Sequence, residues 1–121
     1  MSLSTLPFFV FTKGVESYLD AGSEQTIFEL ESTNVKIMRG VFLDLNEMTQ
    51  NGTIKVYHKI DGTNYRSFLV HQFAEATDPD GVFLDLNFAF TDYLKVTYEE
   101  SVDEGADRTI SYSIAYERRL A

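Results

Sequence analysis

Apolar and polar residues alternate with a period of two along most of the chain, and strand-favouring residues cluster between Gly, Asn and Asp positions. Residues 53–60 show the pattern clearly, because alternate positions there are apolar on one side and polar or aromatic on the other. The first face carries Ile54, Val56, His58 and Ile60, and the second carries Lys55, Tyr57 and Lys59. The Asp61-Gly62 pair that follows accepts the positive φ angles of a tight turn, which predicts a hairpin into the next strand.

The same criteria predict eight strands. These cover residues 8–12, 25–31, 35–46, 53–60, 63–73, 81–90, 93–100 and 108–118. Residues 14–21 are the one place where we predict a helical turn, and residues 74–80 read as a loop. With 121 residues and 44% hydrophobic content, the chain predicts a single domain spanning 1–121. The expected fold is an all-β antiparallel sandwich, for which a jelly-roll topology is one possibility.

A seven-residue segment occurs twice in the chain. The run from Gly40 to Asn46 is repeated without change from Gly81 to Asn87, an offset of 81 minus 40, or 41 residues. A second match aligns residues 54–56 with residues 94–96. We interpret the repeat as a duplicated hairpin unit, with copies at about 39–66 and 80–108. Two copies favour two related halves of one sandwich over a long solenoid.

The repeat places an aromatic residue on an otherwise polar strand face. Val41, Leu43 and Leu45 share one side of the first copy, and Phe42 lies on the other side with Asp44 and Asn46. Phe83 is the equivalent of Phe42 in the second copy. Either a loop of the same chain or another subunit is expected to cover these rings, and both alternatives stay open. Phe42 and Phe83 are therefore candidate interface residues.

The last predicted strand supplies two further aromatic candidates. Tyr112 and Tyr116 share a face with Ile110 and Ile114, so their stripe belongs either to the core or to a subunit interface. If the chain's tyrosine rings are exposed, they also offer a surface on which a sugar can stack, although the sequence has no Trp. A carbohydrate-binding module is the resulting alternative function.

Net charge narrows the choice of partners. Ten Lys and Arg against 19 Asp and Glu give −9, so the summed field repels phosphate backbones and anionic lipid surfaces. We expect no nucleic-acid or membrane partner.

The sequence contains no Cys, which excludes disulfides, thiolate nucleophiles and Cys-based zinc sites. Residues 1–11 have neither a basic start nor an apolar core long enough for a secretion signal, which predicts a product of the host cytoplasm or of a virion.

No set of residues forms a recognisable catalytic site. Asp44 and Asp85 occupy equivalent repeat positions and are the one pair resembling the carboxylates of a glycosidase; the alternative is that both are solvated strand positions. His58 and His71 lie inside predicted strands, where packing explains them as well as catalysis does. Phosphate-binding and nucleophile-elbow motifs are absent. We therefore predict a non-enzymatic protein without a cofactor.

Acidic turns provide weak candidates for calcium binding. They comprise Asp78, Asp80, Asp103 and Glu104. Hard cations prefer such oxygen ligands, but the spacing is not that of an EF-hand. Because acidic turns on an acidic protein are commonly just solvated, no metal site is predicted, and calcium enters only as an aid to the carbohydrate-binding alternative.

The C-terminal segment from Glu104 to Tyr112 contains a Gly-Ala-x-Arg turn after the strand that begins at Tyr93. Through this segment, about the final quarter of the chain resembles the tail of small β-sandwich proteins encoded among the structural genes of tailed phages. The resemblance implies a particle component, such as a capsid decoration or head-associated protein, that self-associates and docks on a larger lattice. It implies no catalytic residues. The leading hypothesis is thus a homo-oligomeric structural or assembly protein.

Overall fold

A computed structural model of the chain contains eight strands in two four-stranded antiparallel sheets. It describes residues 8–18, 23–31, 36–59, 63–90, 93–102 and 104–118. The strands are β1 (Phe8–Tyr18), β2 (Gln25–Glu31), β3 (Lys36–Asp44), β4 (Gly52–Lys59), β5 (Tyr65–Phe73), β6 (Gly81–Phe90), β7 (Tyr93–Glu100) and β8 (Arg108–Arg118). The prediction of an all-β sandwich of about eight strands is confirmed.

The chain crosses repeatedly between the two sheets. Sheet 1 has the strand order β1-β8-β3-β6, and sheet 2 has the order β2-β7-β4-β5. Only β4 and β5 are consecutive strands in one sheet, so the predicted hairpin is confirmed by their antiparallel pairing, while its turn at 61–62 lies outside the described residues. The edges of the sheets are β1 and β6 in sheet 1 and β2 and β5 in sheet 2.

The inner faces of the two sheets form one hydrophobic core. Val41 and Leu43 from sheet 1 and Ile54 and Val96 from sheet 2 are completely buried. Each such side chain stabilises the fold by about 1.5–3 kcal/mol relative to an exposed position. The period-two pattern therefore gives the correct inward face for these strands.

Several strand boundaries differ from the prediction: β1 is six residues longer, β4 begins one residue earlier, and β5 begins two residues later. The predicted helical turn at 14–21 is wrong where it is described, because β1 continues to Tyr18 through an unbroken register with β8. The third strand ends at Asp44, two residues early. There the Asn46 backbone N–H donates to Asp44 Oδ1 at 3.2 Å, and such Asx turns compete with strand pairing.

The two seven-residue segments meet in sheet 1, where β3 pairs with β6. In the pairing of β3 with β6, Phe42 is opposite Phe83, and Val41 and Leu43 are opposite Leu84 and Val82. Each segment therefore pairs antiparallel with its own copy, about a local twofold through the two Phe residues. In sheet 2, Val56 is opposite its repeat equivalent Val96.

Candidate functional site

The outer face of sheet 1 carries a cluster of exposed apolar side chains. Val15, Phe42 and Phe83, which we call the phenylalanine patch, are 65%, 38% and 62% exposed. Small residues separate Val15 from Phe42, since Ser111 is paired with Val15 and Ser113 with Phe42. Val15, Phe42 and these two serines border a shallow depression of about 460 Å³ on this face. Val15 and Phe42 thus share one depression, and Phe83 is the cross-strand neighbour of Phe42.

Gly40 allows the Phe83 ring to lie flat on the sheet. A Cβ atom at Gly40 would lie 2.7 Å from Phe83 Cζ, a distance that real Cβ atoms avoid. The ring therefore covers the backbone of the neighbouring strand, and Gly40 itself is buried beneath it. An aromatic ring over a strand glycine shields backbone that would otherwise be open to water.

Charged groups border the patch. Arg39 forms an ion pair with Glu117 and donates from Nε to Glu117 Oε2 at 2.9 Å, and it also donates to Asn87 Oδ1. Asp85 is exposed and Asp44 half-buried on the same face. A polar border around an apolar centre is the composition of a protein interface.

Asp44 and Asp85 are placed too far apart for a glycosidase pair. Asp44 is opposite Gly81, so 85 minus 81, or four residues, separate the two acids along the strands. At about 3.4 Å per residue this is ~14 Å along the strands. Paired glycosidase carboxylates lie about 5 to 9.5 Å apart, so the repeat does not bring these two acids together for that chemistry.

The tyrosines predicted beside Ile110 and Ile114 lie on the inner face of sheet 1. Tyr112 and Tyr116 are half-buried and pack against the core. The Tyr112 ring centre is 5.0 Å from that of Phe28, across the sandwich in sheet 2. The structure therefore separates the four interface candidates, with Phe42 and Phe83 outside and the two tyrosines inside.

A second group of tyrosines lies on the outer face of sheet 2. Tyr57, Tyr65 and Tyr93, the tyrosine cluster, are half-buried, with edge-to-face ring contacts at 6.2 and 6.5 Å. Lys59 Nζ lies 3.9 Å from the Tyr93 ring centre, and Lys95 Nζ lies 4.3 Å from that of Tyr65. Cation–π contacts thus cover the ring faces on which a sugar would stack.

Glu24 links the tyrosine cluster to strand β7 through hydrogen bonds. Its carboxylate accepts hydrogen bonds from the Thr97 and Tyr57 hydroxyls. Partial burial raises the pKa of Glu24, but these hydrogen bonds and the nearby lysines outweigh it, so the net shift is downward. Burial, and then the contact with Glu24, raise the pKa of Tyr57 to about 12.

Glu104 is part of a buried polar network rather than an open cation site. Its carboxylate accepts from the backbone N–H and the hydroxyl of Thr49, both at 2.9 Å, and from the Gln50 N–H at 3.0 Å. Arg108 Nε lies 3.4 Å from Glu104 Oε1. The carboxylate thereby anchors the loop between β3 and β4.

The network continues into the core. Glu100 Oε2 accepts from the Glu104 backbone N–H at 2.9 Å, and the Glu100 N–H donates to the Tyr18 hydroxyl at 3.0 Å. Tyr98 stacks edge-to-face on Tyr18 at 5.2 Å, and its buried hydroxyl has no hydrogen-bond partner in the described part of the chain. Burial, followed by the nearby Glu104 carboxylate, raises the pKa of Tyr98.

Of the remaining calcium candidates, the structure describes Asp78 and Asp80. Asp78 and Asp80 lie in the loop before β6, and Asp103 is outside the described residues. Across the described ranges, no three His, Cys, Asp or Glu side chains are placed to hold a metal ion. His58 is half-buried and packs edge-to-face on Phe88 at 4.9 Å.

Comparisons with known proteins give a likeness of fold. No protein-family model and no curated protein matches the sequence. A chain of the Bacillus endospore appendages, which form disulfide-linked pili, is 16% identical with a TM-score of 0.52, over 100% of this chain and 96% of that chain. A chain from the capsid of Helicobacter pylori bacteriophage KHP30 is 11% identical with a TM-score of 0.54, over 96% and 95%.

A weaker likeness is to the VP2 subviral particle of infectious bursal disease virus, with a TM-score of 0.44, 12% identity and 34% of that chain covered. The resemblance to virion β-sandwich proteins rests on the chain from the bacteriophage KHP30 capsid and is one of fold at low identity. Within the described ranges, no helix has the length and hydropathy needed to cross a membrane.

Proposed function

We propose that this chain is a non-enzymatic structural subunit that associates with copies of itself and docks on a larger protein lattice, such as a capsid. The phenylalanine patch carries the proposal, because three exposed apolar side chains lie on one regular sheet face. Burial of this face between subunits removes the rings from water without disturbing the core. The Gly40 position beneath Phe83 keeps the surface flat, which suits packing against another sheet or loop.

The patch is small, and this agrees with a lattice contact better than with an isolated tight dimer. Covering a Phe or Val side chain contributes about 1.5–3 kcal/mol at most, and association itself costs several kcal/mol. A single contact of this kind is therefore weak. In an assembly each subunit repeats the contact, and linked contacts raise the effective concentration of the next one.

The strand order supports the same class of protein. We infer that β1-β8-β3-β6 facing β2-β7-β4-β5 is a jelly roll, because crossing between sheets at nearly every connection is what two Greek keys produce. Jelly rolls occur in viral capsids and also in lectins, so the topology alone does not separate the two functions. The pilus and capsid chains with a similar fold favour the first. On this proposal the mature protein resides in a virion after synthesis in the host cytoplasm.

Carbohydrate binding is the alternative, and the tyrosine cluster is its best surface. The ring faces there are occupied by Lys59 and Lys95, and Tyr57 and Tyr65 donate their hydroxyls to Glu24 and Glu29. A sugar has to displace these contacts before it can stack. The phenylalanine patch, in contrast, is open, and for this reason we favour assembly over glycan recognition.

Light scattering coupled to size-exclusion chromatography tests the proposal. The wild type is expected to show a mass above 13.8 kDa that increases with concentration. The double variant Phe42→Ser, Phe83→Ser is expected to stay folded and to shift toward the monomer, because both rings are on the outer face. Val102→Ser removes an apolar side chain of similar exposure, 58%, from a loop and serves as the control. A wild type that remains monomeric at every concentration contradicts the proposal.

A further inference from the structure

We infer that a pocket between the β5 edge of sheet 2 and the β6 edge of sheet 1 binds a small aromatic carboxylate. The pocket has a volume of about 390 Å³, within the range of ligand sites. It is lined by residues of β4, β5 and β6: His58, Arg66, Ser67, Phe68, Phe88 and Ala89. This site is separate from the phenylalanine patch, and the inference does not depend on self-association.

A β-bulge places an aromatic side chain at the pocket. In the pairing of β4 with β5, Val56 is opposite Leu69 and Tyr57 is opposite Ser67, so Phe68 is an extra residue without a cross-strand partner. Bulges of this type redirect a side chain out of the regular alternation and are common at functional positions. Phe68 remains 41% exposed, which is costly for a Phe unless something covers it.

Three rings form the apolar walls. Phe68 stacks on Phe88 of sheet 1 with ring centres 4.2 Å apart and planes 20° from parallel. The His58 ring meets Phe88 edge-on at 4.9 Å. Flat walls of this kind accept a ligand ring in offset-stacked or edge-on contact, which selects an aromatic ligand over a branched aliphatic one.

Arg66 supplies the charge. It lies directly opposite His58 in the sheet, beside the aromatic walls. Within the described ranges, the Arg66 side chain makes one hydrogen bond, from a guanidinium N–H to the Tyr65 carbonyl oxygen at 3.5 Å. It makes no ion pair there. A guanidinium in this state is available for a bidentate pair with a carboxylate. Among the described residues that line the pocket none is an acid, although the whole chain carries a net charge of −9.

An NMR titration of the full chain with 3-phenylpropionate tests the site. We expect saturable shifts of the backbone amides from Arg66 to Phe68 and at Phe88, with a Kd on the order of 1 mM. The neutral analogue 3-phenylpropanamide keeps the ring and removes the anion. It is expected to bind about tenfold more weakly, because it cannot form the charged bidentate pair.

Matched variants separate the pocket from general effects. Arg66→Gln is expected to raise the Kd for 3-phenylpropionate about tenfold, and Phe68→Ala is expected to abolish saturation. Lys55→Gln removes the same charge from the outer face of sheet 2, and Val70→Ala removes an exposed apolar side chain from β5; both are expected to bind normally.

Phe42→Ser with Phe83→Ser is also expected to bind normally, so loss of assembly and loss of ligand binding are distinguishable. Two results overturn the inference: the absence of saturable shifts at about ten times the expected Kd, or equal binding by wild type and Arg66→Gln.

Discussion

Phe42 lies directly opposite Phe83 in the pairing of β3 with β6, and the two residues occupy the same position of the seven-residue repeat. Residues directly opposite each other in neighbouring strands project to the same face, so both Phe side chains lie on the same side of sheet 1. The residues just before them, Val41 and Val82, also occupy the same repeat position, and both are buried on the inner face. The repeat thus produces an apolar core face and an aromatic outer face from one short sequence used twice.

Equivalent repeat positions nevertheless have different physical roles. Gly40 is covered by the Phe83 ring, whereas Gly81 begins β6 with a φ of +133°, a conformation that L side chains rarely adopt. A Cβ at Gly81 would also collide with the Leu43 carbonyl oxygen.

Gly81→Ala is therefore expected to lower the free energy of unfolding by about 3 kcal/mol or more, from backbone strain and overpacking together. Gly105 has a φ of +81° with open space around it, so Gly105→Ala is expected to cost only about 1–2 kcal/mol. Urea unfolding of the two variants measures both values. Equal destabilisation would show that the collision with Leu43 is relieved at no cost.

Glu104 is expected to be the most important acidic residue for stability among those in the described turns. Glu104→Ala leaves the Thr49 and Gln50 amides without their acceptor and Arg108 without its ion-pair partner. We expect a loss of about 2–4 kcal/mol in the free energy of unfolding. Glu75→Ala, a half-buried acid in the loop after β5, is expected to change it by less than about 0.5 kcal/mol. If Glu104→Ala is as mild as the control, the carboxylate does not anchor the loop.

Stability is expected to fall at alkaline pH through Tyr57. Its pKa in the folded chain, about 12, is above the ordinary value of 10.0, because burial and Glu24 disfavour the phenolate. The stabilisation from the protonated hydroxyl is therefore complete below pH 10 and is lost as the pH rises from 10 through 12.

An absorbance titration of the seven tyrosines is expected to show a late-ionising group that Tyr57→Phe removes. Tyr98, whose pKa is also raised, is expected to ionise late in both proteins. If the late transition of the wild type and that of Tyr57→Phe have the same amplitude, Tyr57 does not contribute to it.

The sequence predicted local structure well because the strand period is a local property. Burial of Ile54 and Val56, and the placement of Phe42 and Phe83 on the opposite, polar strand face, follow directly from alternation. The sheet order is not predictable in this way, since β3 pairs with β6 and β8, both far away in the chain. The predicted helical turn at residues 14–18 was wrong. Gly14 interrupts the apolar pattern there, but the backbone stays extended because it pairs with β8.

The functional surfaces were only partly predictable. Two members of the phenylalanine patch, Phe42 and Phe83, were visible as aromatic residues on a polar strand face, whereas Val15 was hidden in the segment predicted as a helical turn. The role of Glu104 could not be seen in the sequence, because its partners Thr49 and Gln50 are more than fifty residues earlier in the chain. The pocket at Arg66 depends on the bulge at Phe68 and on the approach of Phe88 from the other sheet. No local pattern indicates such a meeting of two sheet edges.

Burial of the phenylalanine patch between subunits can be measured directly, because the chain has no Cys and a single introduced thiol reports on one position. Val15→Cys places the thiol in the patch, and Val70→Cys places it on β5 of sheet 2 at similar exposure, 65% against 54%. We predict that labelling of Val15→Cys by a thiol reagent slows as protein concentration rises, while labelling of Val70→Cys keeps its rate. Equal rates for both variants at all concentrations, with the wild type associated, would contradict the assignment of this face to the subunit contact.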